Sequence, residues 1–214
     1  MTDRRRRLGA VAAGVVAALL ASCTSADGPR SAATAPATAA PAPLEGVLLT
    51  AADLPDGFEP AAGDDTITTF CAGQDAAAGL RATDRQVAAF ARQPSGASVI
   101  QVVLRLEADG AQRFVEQAGE LLQSCSEIPD AAGLAFAYEP VSEPVATALE
   151  AVPGTVSGYG TSVGSGSLTV QVAAARRGEV AVLVAVLGVD QPRAELDALA
   201  VEVFDAALAR LPAP

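Results

Sequence analysis

The chain has 214 residues, with 14 basic residues, all of them arginine, 25 acidic residues and no histidine, so its formal net charge is −11. The absence of histidine excludes Ser-His-Asp and Cys-His catalysis and imidazole ligation of metals. The absence of lysine excludes Schiff-base chemistry and the lysine of phosphate loops. We therefore expect no catalytic residues, no metal and no cofactor. Nucleic acid is not expected as a partner either, because phosphate binding requires clustered cations.

The first 23 residues have the pattern of an export signal. Four arginines at residues 4–7 precede an apolar stretch at residues 8–20, as in a secretory signal peptide. The run LASC at residues 20–23 resembles the lipobox of bacterial lipoproteins. This resemblance implies cleavage after residue 22, with a diacylglycerol thioether on Cys23. The alternative is an uncleaved membrane anchor, although about 15 apolar residues fall short of the roughly 20 that a spanning helix needs.

The segment after Cys23 is predicted to be a tether. Residues 24–43 consist mostly of Ala, Pro, Thr and Ser, which offer too little apolar surface to offset the entropy of ordering. Residues 44–214 then form one extracytoplasmic domain. Cleavage would leave 10 arginines against 24 acidic residues, a net charge of −14. The lipid anchor, rather than surface charge, is expected to hold the protein on the outer face of the cell membrane.

Two cysteines remain once Cys23 is assigned to lipid. Cys71 and Cys125 would then form an even pair in an oxidising compartment, which favours a structural disulfide. The alternative is a redox-active pair. It has neither C-x-x-C spacing nor a neighbouring His or Lys to lower a thiol pKa.

The first half of the domain contains a predicted hairpin and a helix. Thr50 and Asp53 resemble a capping box, and Asp56-Gly57 reads as a turn. Residues 97–106 are rich in β-branched side chains and predict a strand; residues 85–92 are ambiguous between strand and helix but would complete a hairpin. Residues 110–124, capped by Asp109, predict a helix. Its apolar face would comprise Phe114, Ala118, Leu121, Leu122 and Cys125.

The second half predicts four strands and a closing helix. The strands are expected at residues 134–141, 155–162, 167–175 and 179–187, the third half-buried and the fourth central. Asp190 as N-cap and Pro192 in the first turn predict a helix that reaches Leu211. This order indicates an α+β fold with a single antiparallel β-sheet and two long helices packed on one face.

Several marks together resemble the extracellular sensor-type domains of actinobacterial lipoproteins and receptor Ser/Thr kinases. They are LLTAADLPDGF at residues 48–58, a cysteine before the first hairpin, a second cysteine ending the first helix, and RRGEVAVLV at residues 176–184. The resemblance implies a sensor or accessory role without enzymatic activity.

Arginines and tyrosines are the candidate ligand-binding residues. Arg81, Arg85, Arg92 and Arg105 gather around the first hairpin. Arg85 and Arg105 would approach each other across its strands and offer a forked site for a carboxylate or phosphate. The alternative is that these arginines pair with nearby acids. Tyr138 and Tyr159, with Phe136, would line a ligand cleft, or else pack in the core.

Two further patterns have weaker chemical readings. Residues 154–166 are glycine-rich, but the motif of a phosphate loop is incomplete, so a strand and hairpin with tight turns is favoured. Five acids at positions 53, 56, 59, 64 and 65 could hold calcium, but EF-hand spacing is absent and a solvated loop is favoured.

The sequence thus suggests a membrane-anchored, extracytoplasmic lipoprotein whose domain binds a small envelope ligand or a protein partner without catalysing a reaction. One alternative is a hydrolase that uses two carboxylates about 5 to 10 Å apart. Another is a structural envelope protein that has no ligand and no pocket.

Overall fold

The strands of the domain form one antiparallel sheet. A computed structural model describes residues 43–63, 65–68, 70, 74–125, 136–162 and 168–213, all within the compact unit Pro41–Pro214. Seven strands occur in these ranges: β1 Phe58–Pro60, β2 Ala82–Arg92, β3 Ala97–Leu106, β4 Phe136–Glu139, β5 Val156–Ser162, β6 Leu168–Arg177 and β7 Val180–Val189. Their order is β1-β2-β3-β7-β6-β5-β4. The predicted α+β class and single antiparallel sheet are confirmed.

Three α-helices are present in the same ranges: α1 Gly110–Ser124, α2 Glu143–Leu149 and α3 Arg193–Ala209. The bounds predicted for the first helix are confirmed. The last helix begins later than predicted, because Asp190 has a left-handed φ of 51° and Pro192 is the residue that precedes the helix. Helix α2 was not predicted, although Ser142 at its start and Pro144 in its first turn are typical of a helix N-terminus.

The two long helices lie on opposite faces of the sheet, so the prediction that both pack on one face is wrong. In β7, Val182, Val184 and Val186 belong to the core that contains α3, whereas Ala181 and Leu183 belong to the core that contains α1. Successive residues of a strand point to opposite faces. We call these two sides the α3 face and the α1 face.

Burial of both faces also changes the reading of β6. The strand was predicted to be half-buried, but Thr169, Gln171 and Ala173, on the face that α3 covers, are buried as well. The period-two pattern identified the strand correctly. It could not show that a second helical layer covers the polar side.

The start of the domain is held on the α3 face by one buried side chain. Gln101, in the middle of β3, is completely buried. Its Oε1 accepts a hydrogen bond from the Leu49 N–H at 2.7 Å, and its Nε2 donates to the Val47 carbonyl at 3.3 Å. Leu44 is also fully buried in the same core. The first residues of the predicted domain are therefore part of the folded core.

The predicted capping box is present and is linked to the end of α3. The Thr50 N–H donates to Asp53 Oδ2 at 2.7 Å, and Arg210 Nη2 donates to Asp53 Oδ1 at 2.7 Å. Partial burial opposes ionisation of Asp53. The hydrogen bonds from Thr50 and Arg210 and the positive charge of Arg210 outweigh this effect, so the pKa of Asp53 lies below its ordinary value of 3.8.

Within the described part of the chain, no helix combines the length and the apolar character needed to traverse a bilayer. Cys23, the predicted signal peptide and residues 24–42 lie outside the described residues.

Candidate ligand-binding groove

A groove of about 410 Å³ lies between the second half of α1 and the edge of the sheet formed by β4 and β5. We call it the α1–β5 groove. Its described lining comes from three segments: Gly119, Leu122 and Gln123 of α1; Tyr138, Glu139 and Pro140 at the end of β4; and Val156, Ser157 and Gly158 of β5. Two other depressions of about 400 Å³ each border α2 and the 74–78 segment. No aromatic side chain is among their described lining residues.

Glycines allow the walls of this groove to approach the β5 backbone. A Cβ atom at Gly119 would lie 3.0 Å from Val156 Cγ1, and one at Gly158 would lie 2.9 Å from Leu122 Cδ2. A Cβ at Gly160 would lie 2.8 Å from Tyr138 Cε1. The glycine-rich segment that begins at residue 154 therefore forms a strand with close packing, as predicted, up to Ser162. Residues 163–167 lie outside the described residues.

Tyr138 lies in this groove against other aromatic rings. Its ring centroid is 6.1 Å from those of Phe70 and Phe136, and both pairs are tilted. Burial raises the pKa of the Tyr138 phenol, so the hydroxyl stays protonated at neutral pH. No hydrogen bond joins that hydroxyl to another described residue. Tyr138 thus offers a neutral donor and acceptor at the groove.

Glu139, the one charged residue among the described lining, directs its side chain away from the groove. Glu139 is paired with Tyr159 in the sheet and shares the α3 face with it, and its carboxylate forms an ion pair with Arg193. The same guanidinium donates to the Pro140 carbonyl at 3.2 Å and stacks 4.1 Å from the centroid of the Tyr159 ring. Glu139 therefore borders the groove with its main chain.

Where β5 borders the groove, its main chain has no partner from β4 among the described residues. Strand β4 pairs with β5 only from Phe136–Ser162 to Glu139–Tyr159. Pro140 then leaves the sheet, whereas β5 continues to Val156 and stays paired with β6. Residues 156–158 consequently have a strand partner on one side only, in the part of the sheet that the structure describes.

The structure separates the two candidate tyrosines. Tyr138 pairs with Gly160 on the α1 face, and Tyr159 lies one position further along its strand on the α3 face. Tyr159 is 7% exposed and packs in the core, as the alternative interpretation held. Of the four candidate ligand-binding residues, Tyr138 is the one that lines the groove; its role in binding stays a prediction.

The expected approach of Arg85 and Arg105 is not found. In the β2–β3 register, Arg105 pairs with Asp84 and Arg85 pairs with Leu104. This offset of one residue places the two arginines on opposite faces. Both already have interaction partners. A shared forked site for an anion would need both side chains on the same face.

The other candidate arginines, Arg81 and Arg92, lie apart and contact different partners. Arg81 lies 3.6 Å from Glu107, and Arg92 stacks 5.0 Å from the centroid of the Phe58 ring. Asp64 and the side chain of Asp65 lie outside the described residues. Among the side chains that are described, no three acids or cysteines gather as metal ligands. Cys125 is fully buried on the α1 face. Cys71 lies outside the described residues, so the disulfide between them stays a prediction.

A buried polar cluster on the α3 face was missed by sequence reasoning. Gln171 is completely buried, and its Nε2 donates to the Asp197 carboxylate. No described residue donates a hydrogen bond to its Oε1. Arg193 lies 4.0 Å from the same carboxylate. A glutamine flanked by two valines within a predicted strand was the signal available in the sequence.

The α+β fold of this domain has a counterpart among solved structures. The structure is similar to that of the extracellular domain of PknH from Mycobacterium tuberculosis, with a TM-score of 0.52 and 18% identity. The similarity covers 75% of this chain and 94% of that domain. PknH is a mycobacterial receptor Ser/Thr kinase. The resemblance expected from the sequence is confirmed at the level of the fold. No family model and no curated protein matches the sequence.

Proposed function

We propose that this chain is an extracytoplasmic lipoprotein, held on the outer face of the cell membrane through Cys23, whose domain binds a small envelope ligand or a protein partner without catalysis. The α1–β5 groove is the observation that carries this proposal. Its size lies within the usual range of ligand pockets, roughly 300–1,000 Å³. The lipobox pattern and the fold shared with an extracellular domain support the location.

The groove favours binding over hydrolysis. A glycoside hydrolase requires two carboxylates about 5 to 10 Å apart at the substrate. Glu139 is the one acidic residue among the described lining, and its carboxylate pairs with Arg193 on the α3 face. The groove also favours a ligand-binding role over that of a structural envelope protein, for which no pocket is needed.

The start of the domain and the groove lie on different faces of the sheet. Leu44 and Leu49 are buried on the α3 face, whereas the groove opens beside α1. A tether that joins the domain at residue 43 therefore meets it on the face opposite the binding groove. This arrangement supports anchoring and binding by separate parts of the same chain.

The anchor is tested by expressing the full chain in a bacterial host fed with an alkyne-labelled fatty acid. We expect the wild type to be labelled and to fractionate with membranes, and the Cys23→Ala variant to be unlabelled. Mass spectrometry of the N-terminal peptide should show an acylated Cys23. A bare sulfur, or a leader still attached, would contradict the proposal.

The bridge is tested on the same material by peptide mapping without reduction. We expect a linked pair of peptides that contain Cys71 and Cys125, since exported proteins with two remaining cysteines usually form a structural disulfide. Quantitative alkylation of both thiols in the native protein would show that the pairing is wrong.

The binding role is tested with the mature chain, residues 23–214, carrying Cys23→Ser so that it is free of lipid. Thermal-shift measurements against cell-wall fragments and lipids should reveal a stabilising ligand, because binding to the native state raises the apparent stability. Photo-crosslinking in cells searches for a protein partner. Failure of both arms would count against a binding role.

A further inference from the structure

In the described part of the sheet, the free edge of β5 at residues 156–158 indicates which kind of ligand the groove could bind. At residues 156–158 the strand pairs, among the described strands, with β6 alone, and the groove lies on the other side. An unpaired strand edge presents a row of N–H and C=O groups that another strand can pair with. Here a cavity borders the edge.

The groove beside this edge has the chemistry that an extended peptide requires. Leu122 and Val156 provide apolar contacts for one set of alternate side chains, and Tyr138 and Gln123 supply hydrogen-bonding groups. A strand that lies here would continue the line of β4, which ends at Glu139 because Pro140 turns away. The main chain of such a peptide could pair with β5 as β4 does further along.

Charge restricts the peptide further. None of the described lining side chains is a cation, and Glu139 is neutralised by Arg193 on the other face. The mature chain predicted from the sequence has a net charge of −14. An acidic peptide would therefore be repelled without any local compensation, whereas an uncharged one would not.

We propose that the α1–β5 groove binds a non-acidic, extended segment of a partner protein, which adds to the sheet as a short strand beside residues 156–158 of β5. This inference rests on the proposed binding function. Main-chain hydrogen bonds would supply the affinity, and the contacts of alternate side chains with Leu122 and Tyr138 would supply the selectivity.

The test uses the lipid-free mature chain (Cys23→Ser) and a library of random heptapeptides displayed on phage. Selected peptides are then titrated into ¹⁵N-labelled protein. We expect saturable shifts of the amide signals of Ser157 and Gly158, with Gly178, at the distant β6–β7 turn, unaffected. We also expect the selected sequences to lack acidic residues.

Two controls separate strand addition from other modes. N-methylation of one main-chain nitrogen that faces β5 should weaken binding about five-fold, as expected for one lost hydrogen bond, whereas methylation of the next nitrogen should not. Gln123→Ala, on the exposed rim of the groove, should also weaken binding. Gln112→Ala is the matched control on the same helix, because Gln112 lies outside the groove and bonds Glu116.

Several outcomes would overturn this inference. They are a selection that enriches no peptide, shifts that map elsewhere, or equal binding of peptides methylated at either position. Tighter binding of a cell-wall stem peptide, with its alternating L and D residues, or of a neutral disaccharide would also overturn it, but would leave the proposed binding role intact. If none of these probes binds and the search for partners in cells also fails, both the strand-addition inference and the proposed binding function are contradicted.

Discussion

Replacing Gln101 with leucine is expected to lower the free energy of unfolding by about 3 kcal/mol. The Gln101 side chain satisfies the Leu49 N–H at 2.7 Å and the Val47 carbonyl at 3.3 Å in a fully buried site. Leucine would leave both backbone groups without a partner, at a cost of about 1–3 kcal/mol each. Burial of the apolar leucine side chain recovers part of this cost.

Gln171→Leu is the matched control for this substitution. Gln171 is also completely buried, and it lies on the same face of the sheet in β6. Its loss removes one hydrogen bond to Asp197, but it also removes a buried Oε1 that no described residue hydrogen-bonds. No backbone group loses its partner. The Asp197 carboxylate loses this donor but keeps Arg193 at 4.0 Å, so we expect a cost of about 1–2 kcal/mol, less than for Gln101→Leu.

Urea denaturation followed by far-UV circular dichroism measures both differences. The slope of the unfolding free energy against urea should stay unchanged, so that midpoint shifts report stability alone. If Gln171→Leu proved as destabilising as Gln101→Leu, orphaned backbone groups could not be the reason that the N-terminal segment depends on Gln101.

Two other changes test the packing and electrostatics of the domain. Asp53→Asn should cost about 1 kcal/mol at neutral pH, because the neutral amide lacks the charge that pairs with Arg210 and strengthens the hydrogen bond from Thr50. Because the pKa of Asp53 is lowered in the folded state, the extra stability of the wild type should be complete above the ordinary pKa of 3.8 and should vanish as the pH falls through the folded pKa. Acid titration of both proteins would show this. A stability difference that does not depend on pH would contradict it. Gly160→Ala should cost about 1–3 kcal/mol, because its Cβ would lie 2.8 Å from the Tyr138 ring. Gly46→Ala, with nothing within 4 Å, is the control and should be neutral or stabilising in thermal unfolding; equal losses at both positions would contradict the packing argument.

Part of the candidate site could be anticipated from the chain alone. The strand that carries Tyr138 and the glycine-rich strand beside it were both predicted, and the helix that forms the other wall was predicted with the correct bounds. Their assembly into a groove could not be anticipated, because it depends on where β4 ends relative to β5. The sequence of neither strand shows where its partner ends.

Local patterns were sufficient wherever neighbours along the chain set the conformation. Periodicity and turn chemistry correctly predicted α1, the hairpin of β2 and β3, and the capping box of Thr50 and Asp53. Each depends on backbone geometry and side-chain contacts within a few residues.

Packing between distant elements settled the rest. A strand pattern shows that two faces alternate, but it does not show which helix covers each face, so α1 and α3 were wrongly placed together. An offset of one residue between strands sends neighbouring side chains to opposite faces, which is why Arg85 is separated from Arg105, and Tyr138 from Tyr159. Pairing register is a property of two chain segments together, since neither segment carries it alone.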